Sequence, residues 1–262
     1  MAQRVAGKIA LVTGGGSGLG KADSLLLAAE GATVYVADIN DAGAAAVVEA
    51  ITAAGGTAHA LHLDVSSEES WRTAYAEIER AHGRLDVLVN NAGIVIVADP
   101  ESTTTEQWDR AMGIMARGVF FGCKFGLPLL AKSKSGSIIN ISSTASHFGY
   151  APFFAYAAAK GAVRSMSKSI AAHCQDKGYP VRVNTLHPSA IETPMIQTAE
   201  GRLGQDHDIP EGVLPFGAVG SPKDVANLVL FLASDESRFL TGGEYLIDNG
   251  LAIRPGAVVG GN

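Results

Sequence analysis

Residues 13–20 read Thr-Gly-Gly-Gly-Ser-Gly-Leu-Gly, between an apolar β-branched run at 8–13 and a segment of helical spacing at 19–30. Gly14, Gly18 and Gly20 let the chain turn sharply, let backbone approach a pyrophosphate and let the helix pack on the preceding strand. The helix N-terminus supplies N–H donors and the positive end of its dipole. Strand, turn and helix in this order predict a dinucleotide cradle. Gly15 to Lys21 also spells G-x-x-x-x-G-K, the opening of a nucleoside-triphosphate P-loop. Ala22 rejects that reading, because a hydroxyl is needed there to hold Mg²⁺.

Outward from this turn, strand-like runs at 33–38, 57–63, 86–91, 136–142, 181–187 and 245–247 alternate with helical patterns at 41–54, 68–82, 105–131, 153–176 and 222–234. Such alternation predicts one α/β domain over 1–262: a doubly wound Rossmann fold with a seven-stranded parallel sheet and helices on both faces. Ser221 and Pro222 mark a helix start, and Gly31 and Gly55 follow helix ends. The irregular stretch at 192–220 is expected to be a substrate lid, with a plain surface excursion as the alternative. Glycine makes up 31 of 262 residues, above the typical ~7%, and needs a structural reason.

The 20 basic and 26 acidic residues give a net charge of −6 without blocks of like charge, so neither nucleic acid nor an anionic membrane is an expected partner. Glu30, Asn90 and Asn91 interrupt the longest apolar stretches, and no membrane span is expected. Cys123 and Cys174 have no metal or disulfide spacing, which suits a reducing, cytoplasmic setting. The seven histidines show no clustering in the sequence, no metal site is expected, and no G-x-S-x-G elbow supports a hydrolase.

Asp38 ends the second strand 18 residues after Gly20, where a carboxylate accepts hydrogen bonds from adenosine ribose hydroxyls. A 2′-phosphate would meet its like charge, and Ser17 and Ile39 offer no compensating cation, so NAD is expected rather than NADP. Tyr156 and Lys160 lie four apart on a helix, and Ser143 ends a strand 13 residues upstream of Tyr156. An adjacent ammonium lowers a phenol pKa, so Lys160 is expected to prepare Tyr156 for proton transfer at an alcohol oxygen that Ser143 holds.

Thr-Gly-x-x-x-Gly-x-Gly at 13–20, Asn90-Asn91-Ala92-Gly93, Ser143 and Tyr156-x-x-x-Lys160, in this order, resemble the short-chain dehydrogenase/reductase family over almost the whole chain. The resemblance implies Tyr156 as catalytic acid/base, Ser143 as the group polarising the substrate oxygen, and Lys160 as binder of the nicotinamide ribose. It also implies that Asp64 and Val65 cradle adenine, that Ile191 and Thr193 hold the carboxamide, and that Leu19, Asn91, Ala92, Gly93 and Pro188 line the cofactor cleft. A homotetramer is the implied assembly.

Two positions depart from the family pattern. Met115 stands where an asparagine usually supports a proton-relay water, and either fills a helix core or tunes the pocket. Pro188-Ser189-Ala190 replaces a Pro-Gly. The strings at 178–184 and 191–195 look similar to bacterial hydroxysteroid and alicyclic alcohol dehydrogenases. Phe148, Tyr150, Phe153 and Phe154, with Met195 and Ile196, either wall an apolar substrate site or, for the aromatics, pack the helices. The implied reaction is NAD-dependent oxidation of a bulky cyclic secondary alcohol, such as a sterol, cyclohexanol or a bicyclic terpenol like borneol. An NADPH-dependent ketone reductase and a cofactor-binding regulatory protein are the alternatives.

Overall fold

The computed structural model describes residues 3–195 and 218–253. Seven strands, β1 (Ile9–Thr13), β2 (Thr33–Asp38), β3 (Thr57–His62), β4 (Val87–Asn90), β5 (Gly136–Ile141), β6 (Val181–Pro188) and β7 (Glu244–Ile247), form one parallel sheet in the order β3-β2-β1-β4-β5-β6-β7. The order reverses between β1 and β4, and a crevice opens there beyond the strand carboxyl ends.

Side chains alternate across the sheet. Leu11, Leu88 and Ile138 join one core with α3 (Glu68–His82), α5 (Gly118–Leu130) and α6 (Phe154–Asp176). Val12, Val89 and Ile139 join the other with α1 (Gly18–Ala29), α2 (Asp41–Ala53) and α7 (Pro222–Ala233). The abundant glycine has a packing use at Gly122 of α5, where a Cβ would press to 2.9 Å from the Trp71 ring and Tyr75 donates to its carbonyl at 2.7 Å.

The helix expected at 105–131 is interrupted: α4 (Thr105–Ala111) passes into a π-helical turn, Met112–Arg117, before α5. Periodicity alone does not register the extra residue of such a turn. Contrary to the expectation of no span, Thr105–Leu130 is long and apolar enough to cross a bilayer, with mean hydropathy 1.3. Most of it is buried against the sheet and α3, which accounts for its composition as a core helix. The region 192–220 lies mostly outside the described residues, as does Ile196.

Asp23, on the buried face of α1, has no partner for either carboxylate oxygen among the described residues, and burial raises its pKa well above the ordinary 3.8. A carboxyl whose folded pKa is raised supports the fold below its unfolded pKa, and that support is lost as pH rises towards the folded value. Asp23→Asn keeps the shape without the charge. Its melting temperature is expected to gain on the wild type as pH rises from about 4 to about 8; an unchanged difference across that range contradicts this account.

Candidate active site

The carboxyl ends of β1, β2, β4, β5 and β6 surround a cavity of about 300 Å³. Its floor is the β1–α1 turn, where Gly14 and Gly18 adopt φ +64° and +52°, conformations that glycine takes without strain. A Cβ on Gly20 would overlap the Gly14 carbonyl oxygen and lie 2.6 Å from Asn91 Nδ2. The Thr13 hydroxyl accepts from the Asn91 and Ala92 N–H groups, both at 3.0 Å, and Asn91 Nδ2 donates to the Thr13 carbonyl at 2.9 Å. The glycine turn and the end of β4 are thereby fastened together.

Gly14, Ser17, Gly18, Leu19, Asp38, Ile39, Asp64, Val65, Asn91, Ala92, Gly93, Ser143, Tyr156, Lys160, Pro188, Ile191 and Thr193 all line this cavity. Gly20 alone of the expected catalytic and cofactor-binding residues does not; it lets α1 approach the turn. Asp38 is fixed at one end, its two oxygens accepting from Gly16 N and Asn40 N at 2.9 Å each. Asp64 Oδ1 accepts from the Ser66 N–H at 2.9 Å and the Ser66 hydroxyl at 2.7 Å. A narrow glycine-floored cleft with a carboxylate at one end fits a nicotinamide dinucleotide.

At the other end, Ser143 caps the 3-10 turn Thr144–Ser146, its Oγ accepting from Ala145 N at 3.1 Å. Tyr156 and Lys160 come from successive turns of α6. The Lys160 ammonium donates to the Ile141 carbonyl at 2.7 Å and stands 5.7 Å from the centre of the Tyr156 ring. Burial pushes Lys160 down to about 8. Burial also raises the Tyr156 pKa, opposed by a hydrogen bond with Ser143. This corrects the expectation that Lys160 lowers the tyrosine pKa in the protein alone: desolvation outweighs a cation that is aimed at a backbone carbonyl.

Met115, 1% exposed in the π turn, packs with Ala155 and Ala159. Its Sδ lies 3.6 Å, and Lys160 Nζ 3.7 Å, from where a Gly93 Cβ would stand, so it both fills core and borders the cleft.

The expected aromatic wall is corrected. Of the residues named for it, Met195 lines the cavity; Phe148, Tyr150, Phe153 and Phe154 do not. They pack alongside it, Phe153 with Tyr150 and Tyr156 and Phe154 with Trp108, because a bridge between Ala98 and Phe153 holds this segment against the chain after β4. Ile94, Ile114 and Ser142 line the cavity instead and were missed. Ile94 directly follows the Asn-Asn-Ala-Gly motif, which was the available signal.

The histidines do cluster, against expectation. His147 Nε2 and His187 Nδ1 are 3.0 Å apart, with Glu244 within 4.8 Å. The signal was topological: both histidines follow or end the adjacent strands β5 and β6. Glu244 is paired with Arg164 at 2.9 Å and Lys168 at 2.5 Å and held down at about 2, chiefly by the Arg164 hydrogen bond. Two cations already balance that carboxylate, so the group forms a hydrogen-bond network rather than an anionic metal pocket.

A family model described as "Enoyl-(Acyl carrier protein) reductase" matches residues 14–252. The chain belongs to the short-chain dehydrogenase/reductase family. It is 43% identical over 253 residues to a 2,5-dichloro-2,5-cyclohexadiene-1,4-diol dehydrogenase of Sphingobium indicum, covering 97% of this chain and 99% of that one. It is 39% identical to an NADP-dependent (R)-specific alcohol dehydrogenase of Lentilactobacillus kefiri, covering 95% and 98%. The crystal structure of a short-chain type dehydrogenase/reductase from Mycobacterium marinum superimposes with TM-score 0.87 at 28% identity, covering 97% and 98% of the two chains. This short-chain dehydrogenase/reductase is therefore an oxidoreductase of the alcohol-handling kind, with the seven-stranded sheet of that family.

Proposed function

We propose that this chain oxidises a bulky, apolar cyclic secondary alcohol to its ketone with NAD, reversibly. The observation that carries the reading is a single cleft with Ser143, Tyr156 and Lys160 at one end and the Asp38 carboxylate at the other. Bound NAD supplies the hydride acceptor. Gly14, Ser17, Gly18 and Leu19 would hold its pyrophosphate, Asp38 and Ile39 the adenosine ribose, and Asp64 and Val65 the adenine. Asn91, Ala92, Gly93, Pro188, Ile191 and Thr193 would flank the nicotinamide half, with Lys160 on its ribose. Ser143 orients the alcohol oxygen, and Tyr156 takes the hydroxyl proton as hydride leaves the carbon. The apolar linings Ile94, Ile114 and Met195 suit a substrate with few charges, as does the ring alcohol in the name of the Sphingobium relative.

The NADP dependence in the name of the Lentilactobacillus kefiri relative favours a second reading, an NADPH-dependent ketone reductase. Asp38 argues against it, since a 2′-phosphate would face a like charge. Asp38→Ser is expected to move the ratio of NAD to NADP turnover towards NADP by at least about tenfold, the equivalent of ~1.4 kcal/mol. A wild-type preference for NADP, or an unmoved ratio in the variant, would count against the assignment. A cytoplasmic homotetramer completes the proposal, supported by two buried free thiols and by exposed apolar side chains such as Phe239, 98% accessible, for subunits to cover.

A further inference from the structure

His187 and His147 stand behind the serine of the site and are joined to it by a hydrogen-bond network. Around His187 Nδ1 lie Ser146 Oγ at 3.0 Å, His147 Nε2 at 3.0 Å and the Ser143 carbonyl oxygen at 3.3 Å. The carbonyl only accepts, and the Ser146 hydroxyl spends its proton on that same carbonyl at 2.7 Å. A proton on Nδ1 would serve both oxygens; Nε2 lies 2.9 Å from the Thr185 hydroxyl, which also reaches the Gly243 carbonyl at 3.2 Å. His187 is buried and neutral, held down at about 4 mainly by burial. From α6, Arg164 donates to the Ser146 carbonyl at 3.1 Å, and the Ser142 hydroxyl donates to the Lys160 carbonyl at 2.9 Å.

We propose that His187, braced by His147, carries its proton on Nδ1 and is a positioning residue: this N–H fixes the Ser143–Ser146 turn through the Ser143 carbonyl and so aims the Ser143 hydroxyl at the substrate oxygen. The proposal rests on the alcohol dehydrogenase reading above. Neither imidazole lines the cleft, so the effect falls on the orientation of Ser143 and not on dinucleotide binding. With the proton so placed, His147 Nε2, 3.0 Å away, accepts from the same N–H and limits rotation of the His187 ring.

The test compares His187→Leu, which removes the donor, with His187→Asn, whose side-chain amide returns a donor near the Nδ1 position. Turnover of cyclohexanol at saturating NAD⁺ and the Kd for NAD⁺ are read for each. His187→Leu is expected to lower kcat about tenfold with Kd within about twofold, and His187→Asn to recover kcat to within about threefold of wild type. A His187→Leu enzyme with wild-type kcat, or an Asn variant no better than Leu, overturns the proposal, as does a Kd that weakens as much as kcat falls. Should His187→Leu fail to fold, His147→Phe at the half-buried partner is expected to lower kcat about threefold, and unchanged kcat overturns the proposal. Wild-type turnover separates the two failures: an inactive wild type contradicts the dehydrogenase reading and this inference together, whereas an active wild type with insensitive variants contradicts this inference alone.

Discussion

Tyr156→Phe lowers kcat for alcohol oxidation by about 10²–10⁴-fold while the Kd for NAD⁺ stays within about twofold. The expectation follows from where the hydroxyl stands. Tyr156 is half-buried, lines the cleft beside Ser143, and shares a hydrogen bond with it. Phenylalanine keeps the ring's packing against Phe153 and removes only the acid/base atom. Burial raises the tyrosine pKa, so at neutral pH the phenol is protonated and oxidation waits on the small phenolate fraction. Oxidation is therefore expected to accelerate as pH rises through the neutral range, and ketone reduction to slow. Lys160, pushed down to about 8, supplies its positive charge below that pH and loses it above, which sets an alkaline limit to that support. Initial rates across pH in both directions check the signs. Opposite slopes, or a Tyr156→Phe enzyme at wild-type rate, would remove Tyr156 from the chemistry.

Gly20→Ala is expected to weaken NAD⁺ binding by about 10–100-fold, equivalent to the ~1.4–2.8 kcal/mol of a forced overpacking, and to lower the melting temperature. Gly20 touches no ligand position. The added methyl would meet backbone, the Gly14 carbonyl oxygen and its carbon at 2.8 Å, with Asn91 Nδ2 at 2.6 Å. The two Gly14 atoms are backbone and cannot swing aside, and Asn91 Nδ2, though a side-chain end, is held by the Thr13 carbonyl at 2.9 Å. Relief requires α1 to shift from the turn, which moves the helix N-terminus and breaks the geometry set by Thr13 and Asn91. Gly149→Ala is the control, since a Cβ there meets nothing within 4 Å, and it should leave the Kd for NAD⁺ unchanged. Equal affinity for wild type and Gly20→Ala, by calorimetry, contradicts the role given to the turn.

Much of this site was readable from residues because each carries a local constraint. The cradle is contiguous, Asp38 sits at a strand end, and Tyr156 and Lys160 share a helix face; all line the cavity where the sheet order reverses. What escaped the sequence depends on distant segments meeting. His147 and His187 are neighbours only because β5 and β6 pair, and Ile114 lines the cleft from within the π turn that interrupts its helix. The direction of the tyrosine shift was misjudged for a similar reason: spacing reveals that a lysine is near, not that Ile141 claims its proton or that burial prevails. Composition leaves the aromatic residues at 148–154 open between pocket and packing, and ring-to-ring contacts place them beside the cleft.

The central claim is tested most directly by following nicotinamide absorbance with purified wild-type chain, NAD⁺ or NADP⁺, and a panel of cyclic and linear secondary alcohols. The account predicts turnover with NAD⁺ in preference to NADP⁺, highest for bulky cyclic alcohols. Absence of turnover across the panel despite tight dinucleotide binding would contradict it and point to a regulatory use of the same fold.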